Sequence, residues 1–413
     1  MKSDIITIGD ELLIGQVINT NQVYIAEKLN EIGVTVERMT TIGDEMQPIL
    51  DAFDQAWKRS DLVIVTGGLG PTHDDITKAA VCRFFDTDLA SNEDVRRHIE
   101  ELLKKRNIGW NAATEQQTML PRKARVIPNP VGTAAGMLFE DGGKSFIVLP
   151  GVPYEMKEMM DRSVVPLLSA RVKNSVIRHL TLRTTGISES LLAQHLGNIE
   201  ELLQGAKLAF LPSATGVRLR ITHQSNNPTT AETKIQEVET RIRSKVQKYI
   251  YGIGEEELEE VLGRILAERG LTLAVAESCT GGLIADRITN VSGSSRYFER
   301  GIATYSNKSK IDLLAVPPTL IEQHGAVSRE VAEAMAAGIR KTAGADIGLS
   351  TTGIAGPTGG TPEKPVGLVW IGYSDATSTL ALKFNFGDHR LRFKERAAQA
   401  ALELLRRRIL KIE

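Results

Sequence analysis

Two stretches of this 413-residue sequence place reactive side chains just after a strand-like run. In "AESCTGG" (276–282), Ser278 and Cys279 follow the apolar segment Leu271–Ala276 and precede "LIADRI". At a strand-to-helix junction a hydroxyl or thiol sits beside the N–H groups of the first helical turn, which can hold an oxyanion. Gly281 and Gly282 would let a substrate approach that backbone. Taken alone, Ser278 reads first as an N-cap, since serine is among the best capping residues. The G-x-S-x-G elbow is absent, because Ala276 and Thr280 occupy its glycine positions.

A serine nucleophile needs a base. No histidine is near in sequence, which leaves His324 as a distant candidate and "GIATYSNKSK" (301–310) as another. There Tyr305, Lys308 and Lys310 follow a strand-like run, and a lysine desolvated at a strand end can lose its proton and activate a serine. Periodicity does not separate Lys308 from Lys310, and either could be a solvated surface charge. Cys279 lacks a neighbouring histidine and reads as a small buried or oxyanion-lining residue. The loop "TTGIAGPTGG" (351–360) fits a rigid pocket wall, and Arg390 could give a bidentate phosphate contact or be an exposed helix residue.

The second stretch is Asp61–Thr66, an apolar strand that empties into "GGLGPTHDDIT" (67–77). Gly67, Gly68 and Gly70 permit close backbone approach to phosphate oxygens at the carboxyl end of a strand. Asp74 and Asp75 supply hard oxygen ligands for a divalent cation, and Asp10 and Glu11 would reach the same sheet edge from the first strand. Asp44 follows the second strand in the analogous place. The alternative is a plain turn whose acids cap helices, which suits Asp75 ahead of "ITKAAV".

These residues need a scaffold. Strand patterns at Asp4–Ile8, Val34–Met39 and Asp61–Thr66 alternate with helical patterns at Asn21–Ile32 and Met46–Trp57, a βαβαβ order. That order predicts an α/β, doubly wound N-terminal domain over 1–170, with Thr20 or Asn21 capping the first long helix. Residues 171–252 read as a small α+β module, a spacer or dimerisation element ending in a long amphipathic helix. Residues 253–413 read as a third, α/β domain. Its strands are expected at Leu271–Ala276, Ile302–Ser306, Ile347–Thr351, Val366–Tyr373 and Thr379–Phe386, and its helices at Glu255–Arg269, Ser328–Ala343 and Arg390–Ile412.

Composition narrows the function classes. A formal net charge of −1 gives no global field for nucleic acid or a membrane surface, so neither partner is expected. Two cysteines, Cys82 and Cys279, make no disulfide framework, and the seven histidines show no zinc-site spacing. With no leader-like or membrane-length apolar run, a cytoplasmic location is expected.

"GDELLIG", "NTN", "TGGLGPTHDDIT", "PNPVGTAAG" and "LPGVPYEMK" together resemble the N-terminal half of the CinA family, competence/damage-inducible protein A. That half is similar to the molybdopterin-binding fold of MogA and MoaB, with Thr66, Gly67, Gly68, Gly70, Asp75 and Thr77 matching its pattern. The resemblance implies ADP-ribose hydrolysis to AMP and ribose 5-phosphate, dependent on magnesium, manganese or cobalt. Asp10, Asp74 and Asp75 would be the metal ligands, and Gly67, Gly68, Gly70 and Thr77 would contact the substrate.

"AVAESCTGG", "GSSRYFERGIATYSNKSK", "HGAVS", "TGIAGPTGG" and "KPVGLVWIG" resemble, in order, the amidase domain of the same family. This implies conversion of nicotinamide mononucleotide to nicotinate mononucleotide and ammonia without a cofactor. Ser278 would be the nucleophile, Lys310 its activator and Tyr305 a further catalytic residue. Thr280, Gly281, Gly282, Thr351, Thr352, Gly353 and Arg390 would bind the substrate, although "FGDHR" carries one residue more than the family's G-D-R pattern. A homodimer is expected, partly on the same resemblance. A non-catalytic pterin- or nucleotide-binding N-terminal half, or a regulatory role in DNA uptake, are the alternatives.

Overall fold

The computed structural model describes residues 1–70, 75–172 and 176–412. The chain forms two compact units: Met1–Arg178 with His223–Thr233, and His179–Thr222 with Lys234–Glu413.

The first unit contains strands β1 (Lys2–Ile8), β2 (Thr35–Ile42), β3 (Leu62–Thr66), β4 (Leu89–Ser91), β5 (Met119–Pro121), β6 (Arg125–Ile127), β7 (Gly136–Asp141) and β8 (Lys144–Leu149). Six of them make one sheet in the order β2-β1-β3-β8-β7-β6, while β4 and β5 pair separately. β2, β1, β3 and β8 run parallel, β7 pairs antiparallel to β8, and β6 pairs antiparallel to β7. The parallel part has the expected βαβ winding.

Every residue of β3 is buried, and alternate side chains enter opposite cores. Leu62 and Ile64 join Ile25, Leu29 and Leu149 on one face, while Val63 and Val65 join Phe53, Phe146 and Val148 on the other. The helix expected from Asn21 begins at Thr20, because the Asn19 side chain accepts the Gln22 N–H and caps it. Asn21 instead turns inward and donates to the Gly151 carbonyl at 2.8 Å.

In the middle module, most of which belongs to the second unit, β9 (Val176–Thr184), β10 (Lys207–Pro212), β11 (Val217–Ser225) and β12 (Ile250–Ile253) form a sheet in the order β10-β11-β9-β12. β10 and the short helix Ile199–Leu203 lie beyond the sequence reading, since "KLAFLP" shows no clean alternation. The expected long helix forms as Pro228–Val246, and Ile235, Val238 and Ile242 lie at helical spacing in the core over the sheet.

The remainder of this unit builds a five-stranded sheet of β13 (Leu273–Glu277), β14 (Phe298–Ala303), β15 (Ile347–Gly353), β16 (Leu368–Ser374) and β17 (Thr379–Asn385), ordered β14-β13-β15-β16-β17. β14, β13 and β15 are parallel, so their carboxyl ends share one edge. Leu273 and Val275 of β13 enter the core under the helix Arg390–Leu410, and Ala274 and Ala276 enter the core with Val331, Met335 and Ile339. The strand expected over Ile302–Ser306 ends at Ala303, because Ser306 and Ser309 form a capping box that starts the helix Asn307–Leu314.

Phe146 is fully buried, with edge-on ring contacts to Phe53 at 5.0 Å and Phe85 at 5.2 Å. Phe146→Ala is expected to destabilise the first unit by about 3–5 kcal/mol, read as a lower urea midpoint for that unit's transition.

Candidate active site

The shared edge of β14, β13 and β15 carries Thr304-Tyr305, Ser278 and Thr351-Thr352. Ser278 is not an N-cap, because the following helix begins at Leu283 with Gly282 at its cap position. The Glu277 carboxylate takes the amides there: Oε2 accepts from Gly282 N at 2.9 Å and Ile284 N at 3.1 Å, and Oε1 from Ala285 N at 2.9 Å. The Ser278 amide is bound to the Thr351 carbonyl at 2.9 Å. Among the described residues, the amides of Thr280 and Gly281 donate to no main-chain carbonyl, and that of Cys279 lies against its own thiol. Gly281 and Gly282, at φ +62° and +98°, make the turn that a side chain would strain.

Lys310 lies in the first turns of its helix and is 1% exposed. Its Nζ is 3.1 Å from Ser278 Oγ, 2.8 Å from the Thr304 carbonyl and 3.4 Å from the Tyr305 carbonyl. No carboxylate pairs with it among the described residues. Burial therefore pushes its pKa below the ordinary value of 10.5. A neutral amine has two hydrogens, which the two carbonyls accept, leaving its lone pair for the Ser278 hydroxyl to donate to. Lys308 is distinct: it is exposed and pairs with Asp312. His324 faces Glu330, with 3.7 Å between Nδ1 and Oε2, and its carbonyl accepts from Lys364.

Arg390 opens the last helix, which the His389 side chain caps. Despite the additional residue in "FGDHR", its guanidinium donates to the Tyr305 hydroxyl at 3.0 Å and to the Gly356 carbonyl at 3.0 Å. Tyr305 is 64% exposed, so this pair stands at the surface beside the Lys310 cage. Thr280 and Thr351 share a hydrogen bond at 2.7 Å in full burial, and Thr352 spends its hydroxyl on the Ala326 carbonyl at 2.7 Å. These three hydroxyls brace the floor of the turn. Gly353 allows the close approach of β16, since a Cβ there would lie 2.6 Å from the Leu368 carbonyl.

Cys279 is buried next to the serine. Burial pushes its thiol pKa up to about 12, with the nearby Glu277 charge adding to the effect.

In the first unit, the carboxyl ends of β1, β2, β3 and β8 surround a cleft of about 420 Å³. Glu11, Asp44, Gly67, Gly68, Gly70 and Asp75 are among its lining residues. Asp10 and Asp44 lock the neighbouring turns together: each carboxylate accepts the other residue's amide, at 3.0 and 3.2 Å. Burial, with the charges of Asp10, Glu11 and Asp75, pushes the Asp44 carboxyl above its ordinary value. Asp75 closes the glycine turn by accepting the Gly70 N–H at 2.8 Å, and the helix that follows starts at Thr77 with no side-chain cap. A Cβ on Gly68 would lie 2.2 Å from Thr77 Oγ1, so the turn is packed against that helix. Asp74 lies outside the described residues. No group of three or more His, Cys, Asp or Glu side chains is placed to hold a metal among the described residues.

Sequence reasoning passed over Glu277 beside the nucleophile and two polar residues elsewhere in the first unit, Lys78 and Asn129. Glu277 stands inside the quoted motif, but a carboxylate before a serine carries no spacing signal. Lys78, beside Thr77, is lowered to about 8 by burial and donates to the Gln116 carbonyl at 3.3 Å. Asn129 of "PNPVGTAAG" accepts from Gly132 N and donates to the buried Glu155 of "LPGVPYEMK", tying two motifs together.

Residues 4–170 match the probable molybdopterin binding domain, residues 179–252 the damage-inducible protein CinA KH domain, and residues 255–409 the CinA C-terminal domain. The chain is 45% identical over 410 residues to a CinA-like protein of Kosmotoga olearia, covering 99% of both chains. It is 43% identical over 415 residues to a CinA-like protein of Chloroherpeton thalassium, covering 98% of this chain and 99% of that one. The solved competence/damage inducible protein CihA of Agrobacterium tumefaciens is 39% identical, covering 36% of this chain and 94% of that one with a TM-score of 0.35.

A molybdopterin-binding-type α/β domain, a KH-like module and a C-terminal α/β domain with a serine–lysine pair define a multi-domain protein of mixed α/β class. The chain belongs to the CinA family. No helix among the described residues is long and apolar enough to cross a membrane.

With its thiol protonated and enclosed, Cys279 should resist iodoacetamide in the native protein at mildly alkaline pH and react once denaturant is added. Peptide mapping of the labelled protein reads this directly.

Proposed function

We propose that the second unit is an amidohydrolase that converts nicotinamide mononucleotide to nicotinate mononucleotide and ammonia. The observation that carries this reading is the Ser278–Lys310 contact at 3.1 Å, with the lysine enclosed and held by main-chain carbonyls. Ser278 Oγ attacks the carboxamide carbon while its proton passes to the Lys310 amine. The oxygen that gains charge is received by backbone amides of the Cys279–Gly281 turn. Lys310 then protonates the departing nitrogen, the C–N bond breaks, and ammonia leaves an ester on Ser278. Water adds to that ester with Lys310 again taking a proton, and the carboxylate product departs as Ser278 recovers its hydrogen. Arg390, with Tyr305 beside it, is a cationic group available to the substrate's phosphate.

For the first unit we propose ADP-ribose hydrolysis to AMP and ribose 5-phosphate. Support comes from the cleft that joins a glycine turn to the carboxylates of Glu11, Asp44 and Asp75. Asp44 and Asp75, which line this cleft beside the glycine turn, would hold a divalent cation (magnesium, manganese or cobalt) together with substrate oxygens, and it would supply neutralisation of the pyrophosphate charge. The Gly67–Gly70 turn presents backbone to the phosphates and Thr77 supports it from the helix. A second reading, binding of a pterin or nucleotide without cleavage, is favoured by the match to the probable molybdopterin binding domain. Incubation with ADP-ribose and each cation, followed by chromatography for AMP, separates the two.

Ser278→Ala is expected to abolish ammonia release from nicotinamide mononucleotide while leaving AMP release from ADP-ribose unchanged. Persistent ammonia release from that variant would remove Ser278 from the mechanism. Because the reactive form of Lys310 is the neutral amine, kcat/KM for ammonia release should rise with pH and level off below the ordinary lysine pKa of 10.5. Lys310→Arg, which keeps its proton, should lose the activity throughout that range.

A further inference from the structure

Glu277 is 1% exposed and sits directly before the nucleophile, yet no arginine, lysine or histidine is paired with it among the described residues. A buried carboxylate without a cation is costly unless its lone pairs are filled. Here three backbone N–H groups fill them, two on Oε2 and one on Oε1. Those donors are the amides that a helix start would otherwise direct at an incoming ligand. The main-chain carbonyl of Glu277 accepts the Thr304 N–H at 2.7 Å, and the Thr304 carbonyl in turn accepts from Lys310 Nζ at 2.8 Å. One residue is thus tied by its side chain to the turn after Ser278 and by its backbone to the segment that holds the base.

We infer that Glu277 is a positioning residue that forms the oxyanion site of the Ser278 chemistry by exclusion. By occupying the amides of Gly282, Ile284 and Ala285, it fixes the turn that presents the amides of Thr280 and Gly281, which donate to no main-chain carbonyl among the described residues. This rests on the amidase reading of the second unit. The carboxylate is required because both oxygens accept. A glutamine with its oxygen at the Oε2 position would set its NH2 group against the Ala285 N–H, two donors facing each other. Aspartate is one methylene too short to span the same three amides without moving the turn.

Glu277→Gln and Glu277→Asp in the full chain test the inference. Ammonia release by Glu277→Gln should fall by about 100-fold in kcat, the scale of losing aligned oxyanion donors, with KM changed less than about threefold, the mark of a loss confined to the transition state. Nicotinate mononucleotide should bind Ser278→Ala and the Ser278→Ala/Glu277→Gln double variant with equal affinity, showing that the ground-state site survives. Wild-type kcat in Glu277→Gln, or a joint loss of kcat and binding, would overturn the positioning role. Amide hydrogen exchange gives a readout independent of the substrate assignment. Gly282, Ile284 and Ala285 should exchange faster in Glu277→Gln than in the wild type, and unchanged protection would overturn the inference even if nicotinamide mononucleotide proves not to be the substrate.

Discussion

The second unit is organised around one buried amine that has no carboxylate beside it. Lys310 is enclosed and touches Ser278, yet only main-chain oxygens accept its other hydrogens. Enclosure without a carboxylate favours the neutral amine, the form that can take a proton from a hydroxyl. A nearby acid would stabilise the ammonium and silence it. The buried Glu277 carboxylate is compatible with this arrangement because its own lone pairs are spent on backbone amides. The site keeps an acid and a base a few residues apart in space while preventing them from neutralising each other.

Both units solve the placement problem in the same way. Parallel strands buried on two faces send alternate side chains into two cores, so the strand itself has no freedom to shift register. Their carboxyl ends are then fixed points from which short turns carry the reactive groups. In the second unit those turns bring together a hydroxyl and an amine. In the first they bring together a glycine turn and several carboxylates. Asp10 and Asp44 join adjacent turns there through reciprocal amide contacts, which sets the spacing of the acids before any ligand arrives.

The strands at Leu62–Thr66 and Leu273–Glu277 were legible because continuous apolar runs bounded by glycine have few other readings. Ser278 was legible as a candidate, but its role as cap or nucleophile was not, since the choice depends on whether Glu277 reaches past it to the helix amides. The choice between Lys308 and Lys310 turned on where the helix Asn307–Leu314 begins, and the Ser306–Ser309 capping box sets that point. The middle module was legible as α+β, but β10 was hidden by weak alternation. Asn129 and Glu155 stand inside quoted motifs and Lys78 outside them, but the contacts of all three join partners distant along the chain, which no local pattern shows.

The Lys310 cage is made of carbonyls, and every residue type carries a carbonyl. Exchanges of side chain at positions 304 and 305 therefore leave both acceptors chemically intact, whatever they do to Tyr305's own contact with Arg390. Insertion or deletion of one residue between the end of β14 and the capping box is a different kind of change. It would rotate the helix Asn307–Leu314 by about 100° and swing the amine away from the serine. The basicity of this site is thus encoded in chain length more than in residue identity, and divergence in this segment should proceed by substitution at constant length.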